Sequence, residues 1–239
     1  MIHINSDTYA FLADLKKHNE RTWFQDNRVR YEAALHNVRA FVQDIIYSLS
    51  AIDPRIDSTI SAQKCLFRIY RDTRFSLDKT PYKTHFSAGI SVNGRKLFGP
   101  EYYLQISAEE VFIACGYWRP EKDHLRLIRQ EIDYNSATFQ ALLPPLAKAD
   151  IILSQEDILK RPPVGYTIAH EALAYLKLKS FVVQKKVPIA ALIQAQGSNY
   201  IQAQGSNYIQ AQGSDYIVDA YKQMLPFKQF LEEAIEGDS

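Results

Sequence analysis

The chain is poor in cysteine: Cys65 and Cys115 are the only two among 239 residues. Neither belongs to a CxxC pair, so neither a disulfide framework nor a thiolate metal knuckle organises the fold. Both sit in strand-like apolar runs, the usual setting of free buried thiols. Charge of one sign is lacking too. Lys and Arg number 28 against 27 Asp and Glu, a formal net charge of +1, so no global field draws the chain to nucleic acid or to an anionic membrane. No apolar run approaches the length of a membrane span. The first stretch, MIHINSDTYAFLADLKKHNE, meets polar residues at once and has no signal-peptide core. These absences point to the cytoplasm. The six histidines form no HxxxH pair. Nucleophile elbow, Walker loop, dinucleotide fingerprint and zinc-ligand spacing are all missing, so no metal and no cofactor is expected.

What is present has ordinary globular composition, enough to bury a substantial core. Ser6 or Asp7 can cap a short helix through Leu15 and Lys16. After NERTWFQDNR, the residues Tyr31, Leu35, Val38, Val42, Ile45 and Leu49 recur at helical spacing and make a core-facing stripe. Pro54 ends that helix by disfavouring helix at Asp53. The period then becomes two. Stretches 66–75, 83–92, 95–107 and 110–118 are rich in β-branched and aromatic residues, with Asn93-Gly94 as a hairpin signal and Gly99-Pro100 as a bend. EEVFIACGYW reads as a central strand. Helices return at Pro120 through Ile132 and again over 136–147. A loop at 160–166, a short helix in EALAYLKLK, a strand in SFVVQKKV and two helical pieces divided near Pro226 complete the chain. The expected fold is a single α+β domain over 1–239: a mostly antiparallel sheet of four to five strands, packed with N-terminal and C-terminal helices.

Residues 193–216 read IQAQGSNY, IQAQGSNY and IQAQGSDY, three near-identical octads. The period fits no helix face and no solenoid unit. Near-identity favours a duplication that inflates a surface loop, because long insertions there cost little. Strands of YIQAQ joined by GSN turns are the alternative.

The stretch FRIYRDTRFSLDKTPYKTHF, 67–86, holds five Arg or Lys and two acids in a chain otherwise nearly balanced. Its pattern, Arg68-x-x-Arg71-Asp72-x-Arg74-Phe75-x-x-x-Asp78-Lys79-x-x-Tyr82, resembles the signature of a widespread bacterial family of unknown function, the one numbered 2461. FLADLKKHN, TWFQDNRVRYE, and EYYLQIS followed by GYWRP look similar as well. His18-Asn19 stands where the family leads one to expect two asparagines. The resemblance implies a family and no activity, so chemistry has to come from the residues.

Treated as a strand, 67–75 puts Arg68, Tyr70, Asp72 and Arg74 on one face and Phe67, Ile69, Arg71, Thr73 and Phe75 on the other. In 83–91, Lys83 and His85 share the polar face. Matching like faces requires paired residue numbers with an odd sum, and the simplest register sets Arg74 opposite His85 and Arg71 opposite Ala88. Arg71 then interrupts an apolar face and needs a carboxylate, with Asp78 as one candidate. Arg68, Arg74, Lys79, Tyr82 and Lys83 are the candidate ligand-binding residues, an arrangement suited to phosphate or carboxylate. His85 is the candidate general acid-base, with Asp72 to orient it. The favoured function is binding of, or action on, an anionic small molecule. The alternatives are a non-catalytic module contacting nucleic acid (less favoured) or protein, and a scaffold whose charges form a structural ion-pair network.

Overall fold

The computed structural model describes residues 1–96, 98–193, 200–202, 208–210 and 212–237. Three helices open it: α1 (Ser6–Lys17), α2 (Arg21–Asp26) and α3 (Arg28–Ser50). The stripe on α3 is a core face, with Val38, Val42, Ile45 and Leu49 buried. The short helix α4 (Ala62–Cys65) leads into the charged stretch. Then come β1 (His85–Ile90), β2 (Glu101–Ser107) and β3 (Val111–Tyr117). Next are α5 (Lys122–Tyr134), α6 (Ser136–Lys148), β4 (Ile152–Leu153), α7 (Leu173–Leu176), β5 (Phe181–Val187) and α8 (Ile189–Leu192). The chain closes with β6 (Tyr200–Gln202), β7 (Tyr208–Gln210) and α9 (Ser214–Glu236).

The fold is α+β. Its main sheet is antiparallel with five strands in the order β1-β2-β3-β5-β4. Two compact units are built on the chain. One comprises 1–95, 103–113 and 186–220, the other 96–102, 114–185 and 221–239, so β2, β3 and β5 carry residues of both. In the first unit Phe11, Leu12 and Leu15 of α1 and Phe41, Ile45 and Ile46 of α3 are fully buried. In the second, Phe139 of α6 meets Phe227 and Phe230 of α9 at ring separations of 5.9 and 5.3 Å. Gly116 of β3 has φ 131°, and a Cβ there would lie 2.1 Å from the Phe181 carbonyl oxygen, so the close approach of β5 admits glycine alone.

Several expectations need correction. Residues 66–75 do not form a strand; only two isolated antiparallel bridges occur, Leu66 with Ala88 and Tyr70 with Tyr82. Both pairs have even sums, so the face assignment that set Arg74 opposite His85 and Arg71 opposite Ala88 falls. Ile69, Phe86 and Ile90 are buried as expected, but Phe75 is 96% exposed. The C-terminal helix is not divided at Pro226, which sits inside continuous α9. A proline removes one helical hydrogen bond and strains the turn before it, a cost of about 3 kcal/mol. Burial of Phe227 and Leu231 just beyond it offsets a penalty of that size. The octads lie largely outside the described residues. Within them, β6 and β7 pair antiparallel, Ile201 against Ile209.

In the second unit α9 carries a buried ion pair, Lys228 Nζ to Glu232 Oε1 at 2.5 Å, with the ammonium 5.3 Å from the Tyr102 ring centre. Removing one partner deprives the other charge of this ion pair in a low dielectric. Lys228→Met is therefore expected to cost about 3–5 kcal/mol in urea unfolding, and adding Glu232→Leu should recover most of it. A double variant no more stable than the single would show that the charges are needed in themselves.

Candidate functional site

Two clamps hold the ends of the charged stretch. At its start, Arg95 Nη1 donates to the carbonyls of Gln63, Lys64 and Leu66 at 3.2, 2.9 and 2.8 Å. These carbonyls at the end of α4 would otherwise lack helical partners, and a cation suits them. At its finish, the Asn19 side chain grips the Tyr82 backbone: Nδ2 donates to the carbonyl at 2.9 Å and the N–H donates back to Oδ1 at 3.1 Å. The amide thus acts as one residue of a neighbouring strand. Tyr82 is buried against Phe24, with rings 4.0 Å apart and 13° from parallel. Tyr70, Tyr31 and Phe86 extend this cluster.

Between the clamps the segment is bulged. From Leu66 to Tyr70 the chain advances four residues, while its partner advances six, from Tyr82 to Ala88. The excess of two keeps the alternation of faces and leaves 83–87 partly unpaired, as bulges do. Lys83 N–H still donates to Ile69 O and Phe67 N–H to Ser87 O.

The loop 71–80 is stitched from within. Arg71 Nη1 donates to Asp78 Oδ2 and to Thr80 Oγ1. Asp78 Oδ1 accepts from the Thr80 N–H at 3.0 Å and from its hydroxyl at 2.8 Å. The Thr80 backbone bond and then Arg71 hold the Asp78 carboxyl down to about 2. Asp72 receives a fork from Arg74, Nε to Oδ1 at 3.0 Å and Nη2 to Oδ2 at 2.6 Å. Lys79 Nζ donates to the Thr73 carbonyl at 2.9 Å. The structure therefore brings Arg71 to Asp78, but at the surface beside Pro81 and Thr80 rather than within an apolar face. Both Asp72 oxygens serve Arg74, and among the described residues no hydrogen bond joins Asp72 to His85.

Three cationic or titratable groups of the stretch remain outside this stitching: Arg68, Lys83 and His85. None has a hydrogen-bonded or ion-paired side-chain partner among the described residues. Burial, then the nearby Arg68 charge, pulls the Lys83 ammonium below its usual range. Burial, then the Lys83 charge, pulls the His85 imidazole down. The Lys83 ammonium sits 5.3 Å from the Phe67 ring centre. Such a cluster disfavours its own positive charge until an anion arrives. Among the described residues no group of three or more His, Cys, Asp or Glu is placed to hold a metal ion.

Sequence reasoning passed over Asn19, Arg95 and Glu101. The clamps carry no local signal, since Asn19 and Arg95 act across 63 and about 30 residues of chain. Glu101 begins β2, where half-exposed positions alternate with buried ones. Burial alone pushes its carboxyl up to about 7.

Geometry and fold together define an α+β protein with a clamped, internally ion-paired charged loop. The chain matches the family model described as "Conserved hypothetical protein (DUF2461)" over residues 7–208, and it belongs to that family. No curated protein and no solved structure matches it significantly. No helix among the described residues is long and apolar enough to cross a membrane.

Asn19→Ala leaves the part-buried Tyr82 peptide unpaired and is expected to cost about 1–3 kcal/mol in chemical denaturation. An unchanged midpoint would mean that water replaces the clamp without loss. The pH dependence of Glu101 has a definite sign. Its folded pKa, about 7, lies above the ordinary 4.5, so the folded state holds the extra proton between those values. The stability this confers is complete below 4.5 and lost as pH rises through about 7. Relative to Glu101→Gln, the wild-type melting temperature should therefore fall between about pH 5 and pH 8. Parallel curves would show that water reaches the carboxylate in the fold.

Proposed function

We propose that the protein binds, or acts on, an anionic small molecule, a phosphate or a carboxylate, through Arg68, Lys83 and His85. One observation carries this reading. The loop 71–80 pairs its arginines with its acids, Arg71 with Asp78 and Arg74 with Asp72, and ties Lys79 to a carbonyl, while among the described residues the three neighbouring groups at its base form no ion pair. An arginine supplies a planar fork and a lysine a point charge, the usual pair for an oxyanion. His85 adds a ring nitrogen whose proton affinity rises when an anion binds beside it. Arg74 and Lys79 serve the loop in this reading, and Tyr82 anchors it. Among the described residues no hydrogen bond joins Asp72 to His85, and Asp72 serves Arg74 in this reading.

A second reading, an interaction module, is favoured by one feature. Phe75 and Leu77, at the tip of the loop, are 96% and 103% exposed, flanked by Arg74 and Lys79. Two large apolar side chains held out by a stitched loop fit contact with a partner macromolecule.

Thermal unfolding with inorganic phosphate, citrate and sulfate separates the two. The anion reading expects stabilisation of about 2.7 kcal/mol at a hundredfold excess over the dissociation constant. Lys83→Ala and Arg68→Ala should each abolish the shift, and Arg74→Met should leave it intact. A shift lost in Arg74→Met and kept in Lys83→Ala would move the site to the loop. No shift with any anion in the wild type would leave the interaction reading standing.

A further inference from the structure

The cation cluster opens onto a row of rings. Phe67, beside Lys83, lies 6.5 Å from Tyr103 of β2, and Tyr103 lies 5.6 Å from Phe112 of β3. All three are half-buried, and Tyr103 belongs to a strand whose alternate residues Tyr102, Leu104 and Ile106 are buried. They are not core residues, and the sheet presents them at its surface. Two residues along the same face, Gln105 accepts the Tyr103 hydroxyl through Oε1 at 3.0 Å. That bond leaves the Gln105 amide nitrogen, which has no protein partner among the described residues, to donate to something else. Positive charge, half-buried rings and a free amide donor therefore follow one another along the surface.

We infer that the ligand of the Arg68–Lys83–His85 cluster carries a planar ring joined to its anionic group, the chemistry of a nucleoside monophosphate, with the ring over Tyr103 between Phe67 and Phe112. This rests on the anion reading and narrows it. Charge complementarity places the phosphate at Lys83, because that end of the row holds the cations. The apolar end takes the ring, since a flat π-face stacks on an aromatic side chain without regard to its substituents. The Gln105 amide meets an acceptor on the ring edge. A simple sugar phosphate or a dicarboxylate satisfies the cations and makes no stacking contact with the rings.

Calorimetric titration of the full chain with inorganic phosphate, ribose 5-phosphate and adenosine 5′-monophosphate tests the idea without any substitution. The nucleoside monophosphate is expected to bind about tenfold or more tightly than ribose 5-phosphate, the scale of one stacked base. Tyr103→Leu and Phe67→Leu, which keep apolar bulk, should remove that advantage, and Tyr103→Leu, away from Lys83, should leave ribose 5-phosphate affinity unchanged. Lys83→Ala should weaken both ligands alike. Equal affinity of the two ligands for the wild type overturns the ring subsite and leaves the anion site standing. An advantage that survives both ring substitutions overturns its placement. Failure of all three phosphates to bind removes this inference and the phosphate form of the anion reading, while citrate binding would leave the carboxylate form standing.

Discussion

The stacking of Tyr82 on Phe24 is the contact on which the candidate site depends. The rings are 4.0 Å apart and nearly parallel, and both are buried. Phe24 belongs to the six-residue α2, too short to hold itself in water, so its place is set by packing rather than by propensity. Phe11 of α1 and Tyr31 of α3 close around it at 6.4 and 4.9 Å. The three helices thus build an aromatic socket, and Tyr82 fills it. Asn19, in the connection between α1 and α2, then finds the Tyr82 peptide within reach. The even register follows from this anchor. Once Tyr82 is in the socket, Tyr70 pairs across from it and adds a third ring, 5.3 Å from Tyr82.

Long-period features were legible in the sequence because one physical preference governs each. The α3 stripe is a burial pattern, and burial is what the helix was selected to satisfy. The strand at 101–107 shows the same agreement between β propensity and alternation, and 111–117 is buried along nearly all its length, as its continuous apolar run requires. The stretch 66–75 misled because its composition favours a strand while its bonding does not. Ile69, Tyr70 and Phe75 suit a sheet, yet Asp72, Asp78 and Thr80 offer the backbone hydrogen bonds of their own. Those local bonds compete with a ladder, and with Pro81 withholding a donor the ladder loses. Arg71 meets Asp78 near the surface rather than within an apolar face, because the depth expected for it came from the assumed register. Phe75 failed for the same reason. The clamps of Asn19 and Arg95 are tertiary events between distant residues, and no local pattern announces them.

The octads make the same point from the other direction. Tyr200-Ile201 and Tyr208-Ile209 lie in strands, while Tyr216-Ile217, which ends the third copy and continues past it, lies in the first turns of α9. The dipeptide is constant and its structure is not. What differs is the sequence that follows. Gln-Ala-Gln-Gly after the first two brings a glycine that discourages helix, whereas Val-Asp-Ala-Tyr-Lys after the third continues into an amphipathic run ending in buried Tyr221 and Met224. Ile217 is buried there. The same Tyr-Ile dipeptide is thus strand in the first two places and helix in the third, as the residues that follow it dictate.

The division of the charges follows from where the bulge falls. A regular hairpin would alternate the basic residues on one face and leave them equivalent. The two extra residues between Tyr82 and Ala88 remove that equivalence. Beyond Tyr82 the chain turns back on itself, and each charge there finds a partner within eight residues: Arg71 with Asp78, Arg74 with Asp72. Such short-range pairs cost little ordering entropy, since the loop already holds both partners close. On the other side of Tyr82, Lys83 and His85 sit where the ladder is open, beside Arg68, and form no ion pair among the described residues. Asp72 lies near enough to feel Arg68, but its oxygens are held by Arg74. The two loop arginines are thus matched by the loop's two acids, Lys79 is held by a carbonyl, and Arg68, Lys83 and His85 gather at the loop's base, next to the half-buried rings of Phe67 and Tyr103.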